Sequence, residues 1–255
     1  MKIYIEYSEV IDNQKVAEDI YFLKVKNNNI SRAVVPGQFC NIKVNDYNVP
    51  FLRRPLSVAY AKDGIVGFLY DVVGTGTKLL SELNKGDFIS LEGPLGNGFR
   101  LNHEVDIAIL IGGGIGIAPL PFLREHLSKN GINTMLFWGA RVSSKLNLSL
   151  FHNVFYATED GSEGFAGNVI ENINNIWNSI KKPYITAYAC GPIPMLKSAK
   201  KFFTEKNVEL QISTESKMAC GIGICQGCPI KSADSEGYKL VCKDGPVFNS
   251  KEVVL

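Results

Sequence analysis

The sequence has little of what acid–base or nucleophilic catalysis draws on. Its three histidines, His103, His126 and His152, fall in no paired arrangement, and no nucleophile motif appears. That pattern is expected where bound cofactors carry the chemistry. Charge of one sign is lacking too. The formal net charge is +2, with no long basic run and no interleaved basic–aromatic stripe, so neither nucleic acid nor an anionic membrane is indicated as a partner. Internal repeats and low-complexity tracts are absent. The N-terminal MKIYIEYSEV lacks a signal-peptide core and alternates like a strand, which leads to the expectation of a cytoplasmic protein. An uninterrupted apolar run is missing as well. The stretch from Ile107 to Leu123 is nearly long enough to span a bilayer, but Gly112 to Gly114, Gly116, Pro119 and Pro121 interrupt it. A buried strand running into a glycine turn explains it better.

What is present suggests two modest domains and an appendage in 255 residues. Residues 1–100 carry short apolar runs, KIYIEY, IYFLKV, QFCNIKV, LSVAY, IVGFLYDVV and DFISLEG, punctuated by Asn, Asp, Gly and Pro. This spacing predicts a small antiparallel β-barrel or sandwich. Ile3, Ile5 and Tyr7 show the alternation of a strand. GPLGNGF, 93–99, reads as the turn that closes the region. From 101 to 212 strand-like and helix-like segments alternate, which predicts a doubly wound parallel α/β sheet ending near Ile212. Residues 213–255 are rich in Gly and Cys, and too short and polar to hold their shape by burial alone.

The tail holds four of the six cysteines, as Cys220-x4-Cys225-x2-Cys228 with Cys242 further on. This is the plant-type [2Fe–2S] spacing: three thiolates from one loop wrap a compact cluster and a fourth arrives from beyond. Gly221, Gly223 and Gly227 lie between them and permit close backbone approach, so that N–H groups can point at sulfur. Structural zinc is the alternative. Zinc sites more often show two Cys-x2-Cys pairs or histidine ligands, and this tail has no histidine. A disulfide framework does not fit a chain without a secretory signal.

Gly112-Gly113-Gly114-Ile115-Gly116 follows a predicted strand and precedes a helix. Gly113, Gly114 and Gly116 suit a dinucleotide pyrophosphate at a helix N-terminus; tight strand–helix packing is the other explanation. Cys190-Gly191-Pro192 ends another strand and is expected to line the same crevice, although Cys190 alone reads equally as a buried core thiol. Arg141 and Lys145 could meet a 2′-phosphate or could be solvated loop charges, so NADH and NADPH are not separated. In Arg54-Pro55-Leu56-Ser57, the guanidinium could pair with a pyrophosphate and the hydroxyl with a ring, or the segment is a plain turn. Gly74 to Thr77 could offer N–H groups to a phosphate.

The order PGQF (36–39), RPLS (54–57), VGTGT (73–77), GPLGNGF (93–99), GGGIGIAPL (112–120), YACGPIPML (188–196) and MACGIGICQGC (218–228) resembles the electron transfer subunit of type B dihydroorotate dehydrogenase, within the ferredoxin–NADP reductase superfamily. The resemblance runs over nearly the whole chain. It implies that the flavin is FAD, held by Arg54, Pro55, Leu56, Ser57, Leu69, Tyr70, Asp71, Gly76 and Thr77. NAD(H) would be the co-substrate, and Cys220, Cys225, Cys228 and Cys242 would hold the cluster. It further implies an FMN-containing dihydroorotate dehydrogenase catalytic subunit as partner, in a heterotetramer serving pyrimidine biosynthesis, with the tail forming much of the contact surface. Two residues depart from the pattern: Asp71 stands near where many relatives carry a basic residue, and Pro229 directly follows a cluster cysteine. The alternatives are a flavin/iron–sulfur subunit of another complex, such as a sulfite reductase or hydrogenase, and a zinc-stapled binding module without redox function.

Overall fold

Six strands in the N-terminal region pair antiparallel and close on one another in a computed structural model that describes residues 2–45, 49–102, 104–180, 183–234 and 236–255. They are β1 (Tyr4–Ala17), β2 (Ile20–Lys26), β3 (Phe39–Lys43), β4 (Arg54–Lys62), β5 (Ile65–Asp71) and β6 (Phe88–Leu95), in the order β1-β2-β5-β4-β3-β6. The two-residue Asp63-Gly64 turn between β4 and β5 has φ of +52° and +79°, the left-handed pair that matches the twist of a tight hairpin. Inward-facing Val10, Leu23, Val25, Ile42, Val58, Val66, Phe68 and Leu91 fill the barrel. Closure leaves no free sheet edge, so pairing with another chain through an edge is not available here.

Two expectations for this region need correction and a third gains a direction. It is not purely β: α1 (Asn28–Ala33) and α2 (Thr75–Ser81) lie between strands. Each spans two turns or fewer, too short to show a helical period. Local caps fix them instead: Asn27 Oδ1 accepts from the Ile30 N–H at 2.9 Å, and Thr77 Oγ1 accepts from the Val73 N–H at 2.9 Å. Gly93-Pro94 is not in the closing turn, because β6 continues to Leu95 before the chain bends at Gly96. The alternation of Ile3, Ile5 and Tyr7 is present, but these residues face outward; Ile5 is 65 % and Tyr7 64 % exposed.

The second sheet contains β7 (Ile107–Gly113), β8 (Asn133–Ala140), β9 (Val154–Thr158), β10 (Phe165–Ala166), β11 (Ile185–Cys190) and β12 (Glu209–Ser213), all parallel, in the order β10-β9-β8-β7-β11-β12. Alternate residues of each strand serve opposite faces. Ala108, Leu110 and Trp138 pack with Leu123 and Leu127 of α3 (Leu120–Lys129). Ile109, Ile111, Phe137 and Ala187 pack with Ile173 of α4 (Val169–Ile176) and Leu196 and Phe203 of α5 (Ile193–Glu205). No helix among the described residues is long and apolar enough to cross a membrane.

The sheet does not end at Ile212. The tail forms a small hairpin, β13 (Pro229–Lys231) with β14 (Tyr238–Leu240), and then β15 (Val247–Asn249), which pairs antiparallel with β12 and sets Phe248 opposite Ile212. Val241, Phe248 and Val253 join the apolar cluster of Ile111 and Phe203. Burial against the sheet therefore orders part of the tail. The alternation of apolar residues is lost on strands of three residues, so β13 to β15 left no period to read.

Candidate flavin, nicotinamide and iron–sulfur site

A cavity of about 360 Å³ opens where the barrel, the parallel sheet and the tail meet. Arg54, Pro55, Leu56 and Ser57 of β4, Leu69, Tyr70 and Asp71 of β5, and Thr77 of α2 line its barrel side. Strand pairing explains how these distant segments converge: β4 and β5 are neighbours, and the chain enters α2 directly beyond β5. Gly76 does not line the cavity; it shapes it. A Cβ on Gly76 would lie 2.0 Å from Arg54 Nε, so only glycine lets the guanidinium rest on the first turn of α2. Arg54 also donates to the Leu52 carbonyl. A guanidinium held beside the first turn of a helix can pair with a pyrophosphate through its planar fork.

The far wall comes from the parallel sheet. Strand order reverses between β7 and β11, and the crevice beyond the carboxyl ends of these strands is where ligands bind in open α/β sheets. Cys190 pairs with Gly112 across that point. Cys190, Ile115, Ala118 and Pro119 line the cavity. The glycines divide their tasks. A Cβ on Gly116 would meet the Cys190 carbonyl at 2.3 Å, whereas one on Gly114 would meet nothing within 4 Å. Gly116 thus serves close packing, and Gly114 leaves open backbone at the crevice. Gly113 packs against Met195 and Pro192, and Gly191 against Met195. The turn does not open a helix at once, because a 3₁₀ turn at Gly114–Ile117 precedes α3. Burial pushes the Cys190 thiol up to about 12, so it stays neutral at ordinary pH.

Lys145 turns toward the barrel. Its Nζ lies 3.0 Å from Asp19 and 3.9 Å from Asp71, both on the barrel. Neither of the two sequence readings, a phosphate ligand or a solvated charge, anticipated this bridge. His126 contacts the Phe122 carbonyl within α3; His103 lies outside the described residues.

The four tail cysteines come together two by two. Cys228 Sγ is 3.2 Å from Cys242 Sγ, and Cys220 is hydrogen-bonded to the side chain of Cys225. Among the described residues no three His, Cys, Asp or Glu side chains converge on a single point. Two thiol pairs suit a binuclear cluster; tetrahedral zinc asks four ligands of one point. Backbone N–H groups already face the sulfurs. Ile222 and Cys225 donate to Cys220 Sγ at 3.5 and 3.4 Å, and Cys242 N–H donates to Cys228 Sγ at 3.4 Å. Burial works against the Cys220 thiolate, but the Cys225, Ile222 and Ile224 N–H groups outweigh it and hold the thiol down at about 6. Gly221 and Gly223 adopt φ of +72° and +85°, as the loop requires; Gly227 does not.

The sequence reading missed the tail's share of the flavin cavity. Ser213, Thr214, Glu215, Ser216 and Met218 line it beside Phe39, Val73 and Pro246. The polar run STES between a predicted strand and the cysteine loop was the only available signal, and polarity alone marks any loop. Glu215 is exposed at the cavity rim, and the desolvation it does undergo there pushes its carboxyl up.

Residues 215–254 match the family described as the iron–sulfur cluster binding domain of dihydroorotate dehydrogenase B. The electron transfer subunit of dihydroorotate dehydrogenase B (NAD(+)) from Fusobacterium nucleatum is 36% identical over 258 residues, 98% of each chain. The chain belongs to the family of dihydroorotate dehydrogenase B electron transfer subunits. The subunit from Geobacillus thermodenitrificans is 39% identical over 259 residues, again 98% of each chain. Among solved structures, one reported for an NADH-dependent reduced ferredoxin-NADP oxidoreductase superposes with a TM-score of 0.86 at 29% identity, covering 97% of this chain and 89% of that one. A ferredoxin NADP+ reductase from Neisseria gonorrhoeae with bound FAD and NADP gives 0.67 at 15% identity, over 79% and 91%, and shares the fold. Membership in this family carries FAD, a [2Fe–2S] cluster and NAD(H) as the cofactors of an oxidoreductase subunit.

Proposed function

We propose that the chain is the electron transfer subunit of a cytoplasmic dihydroorotate dehydrogenase of type B, linking NAD(H) to the FMN of a catalytic subunit in a heterotetramer of pyrimidine biosynthesis. The observation that carries this reading is one cavity bordered by all three regions, with paired thiols in the tail segment that continues from its wall. When bound, FAD exchanges two electrons with nicotinamide and single electrons with the cluster.

The chain's own residues divide the work along its length. Residues 1–100 hold FAD, with Arg54 on the pyrophosphate, Ser57, Leu69, Tyr70 and Asp71 along the ring wall, and Gly76 and Thr77 shaping the phosphate cradle. Residues 101–212 hold the nicotinamide dinucleotide, with Gly114 presenting open backbone, Gly113 and Gly116 letting the turn after β7 pack closely on the start of α5 and the end of β11, and Cys190, Gly191 and Pro192 closing the crevice. Residues 213–255 hold the cluster through Cys220, Cys225, Cys228 and Cys242. The neutral Cys190 thiol and the apolar Leu56, Leu69, Ile115 and Ala118 line the cavity and would keep water from it when flavin and nicotinamide are bound.

Reconstitution tests the proposal. The holo-chain mixed with a dihydroorotate dehydrogenase catalytic subunit from the same source should confer NAD⁺-linked oxidation of dihydroorotate that neither protein shows alone. Absence of that activity, with both proteins carrying full cofactor, would reject it.

A further inference from the structure

The outer face of a closed barrel is ordinarily polar, because its apolar side chains fill the interior. Here β1 presents Ile5 and Tyr7 outward, Ile3 just before it is exposed too, and its neighbour β6 presents Phe88, itself 64 % exposed. The inward positions of the same stretch of β1 are occupied by Tyr4, Glu6, Ser8 and Val10. The apolar set is therefore on the side where folding gains nothing from it. A cluster of large exposed apolar side chains marks an interaction surface.

The strand register places this surface against the cysteine loop. Residues directly opposite across a ladder point to the same face. Ile5 pairs with Glu92 of β6, and Glu92 with Asn41 of β3. Asn41 Nδ2 then donates to the Cys220 carbonyl at 3.3 Å. One row thus runs Ile5, Glu92, Asn41, Cys220 on the outside of the barrel. With strands about 4.8 Å apart, Ile5 stands roughly 10 Å from Asn41 along that row. The next row is Tyr7, Ser90, Lys43. Arg53 lies across the two rows, donating to the Ser90 carbonyl at 2.9 Å and sitting 3.8 Å from Glu92. Beyond Cys220 the loop exposes Ile222 and Ile224, the latter by 76 %. Two apolar zones therefore flank a narrow, internally paired polar ridge. Such a surface fits a protein interface with desolvated apolar contacts and satisfied polar groups.

We propose that the outward face of β1 and β6 is the principal docking surface for the catalytic partner subunit, with the cysteine loop at one margin rather than at its centre. This rests on the function proposed above and names the surface that the function needs. Continuity selects the occupant. An electron acceptor must cover the loop that carries the cluster, and whatever covers Ile224 and Cys220 also extends over Asn41, Glu92 and Ile5. The tail, expected from sequence to form much of the contact, offers beyond the loop only Tyr238 and Val254 as exposed large apolar side chains, since Val241, Phe248 and Val253 are buried against the sheet.

Hydroxyl-radical footprinting of the wild-type holo-chain, alone and with the catalytic subunit, tests this without altering the fold. Ile5, Tyr7 and Phe88 should lose at least tenfold in labelling rate in the complex, while Tyr184, exposed at the opposite, amino end of the sheet strand, should not change. In parallel, the Ile5→Glu/Tyr7→Glu variant should bind the catalytic subunit at least tenfold more weakly. Its NADH-driven reduction of ferricyanide should match wild type, which shows the variant folded and loaded. Unchanged labelling of Ile5 and Tyr7 in a complex that forms would overturn the inference and leave the functional reading standing. Protection of these residues by a second copy of the chain, with none on adding the catalytic subunit, would also overturn it. A wild-type chain that fails to bind the catalytic subunit at all would reject both.

Discussion

Lys145 leaves the parallel sheet and places its Nζ 3.0 Å from Asp19, at the tip of the β1–β2 hairpin. Asp71, on the flavin cavity wall, lies 3.9 Å from the same nitrogen. The neighbouring chain follows suit: the Glu18 N–H donates to the Ser144 carbonyl at 3.0 Å, and Lys145 Nζ donates to the Glu18 carbonyl at 3.1 Å. The barrel is thereby fastened to the loop that follows β8. The acidic residue at 71 finds a cation from the other region of the chain.

This relationship predicts the outcome of Lys145→Ala. An ammonium committed to Asp19 and Asp71 is not offered to a 2′-phosphate. The ratio of kcat/KM for NADH over NADPH should stay within about twofold of wild type. Both partners are partly exposed, so stability should fall by no more than about 1 kcal/mol, with the loss smaller at high salt. A tenfold change in the cofactor ratio would contradict this assignment.

The Arg54–Gly76 contact gives a second test. Gly76→Ala inserts a methyl into the space of the guanidinium, and Arg54→Ala removes the guanidinium. Each should weaken FAD retention by at least tenfold. The double variant should lose little more than either alone, because both remove the same cradle. Flavin fluorescence after gel filtration measures the three losses. Additive losses would mean that Gly76 acts independently of Arg54.

Much of this was legible from sequence, and the reasons are physical. Cysteine spacing reports loop geometry directly, and Gly112 to Gly116 after an apolar strand reports a turn at a sheet edge. The Arg54–Ser57 and Leu69–Asp71 segments were placed by resemblance, and strand pairing brings them to one wall. The illegible parts depend on partners far away in the chain. Glu215 could not be assigned to the cavity, because its place there depends on β12 continuing to Ser213 and on β15 pairing alongside. Lys145 could not be matched to Asp19, since no local pattern links residues so far apart. The outward Ile5 and Tyr7 looked like any alternating strand, because a period of two does not say which side is inside.

Glu215 predicts a pH dependence. Partial desolvation at the cavity rim raises its folded-state pKa above the unfolded value, and the residue's exposure keeps the effect small. The stability linked to it is therefore full below the unfolded pKa and lost as pH rises through the folded one. Urea denaturation of the cofactor-free chain across the acid to neutral range should show Glu215→Gln equal to wild type at the acid end and more stable above it. A variant less stable than wild type at neutral pH would show that the ionised carboxylate has a stabilising partner.

Packing at the crevice gives a fourth test. Gly116→Ala would push a methyl into the Cys190 carbonyl, a backbone atom that cannot turn aside. Overpacking of this kind costs about 1–3 kcal/mol. The same shift should loosen the burial of Cys190, whose thiol is otherwise neutral and enclosed. Wild type should therefore leave Cys190 unalkylated by iodoacetamide at pH 8, and Gly116→Ala should alkylate measurably, as read by peptide mass. Equal protection in both proteins would contradict the role given to Gly116.

The most direct test of the whole account is an anaerobic titration of the purified holo-chain with NADH, followed by visible absorption and metal analysis. The account predicts one FAD and about two irons per chain. It also predicts bleaching of both flavin and iron–sulfur bands by NADH, with the cluster signal lost on Cys228→Ser. A colourless chain loaded with zinc, or flavin that NADH reduces while the cluster stays oxidised, would contradict it.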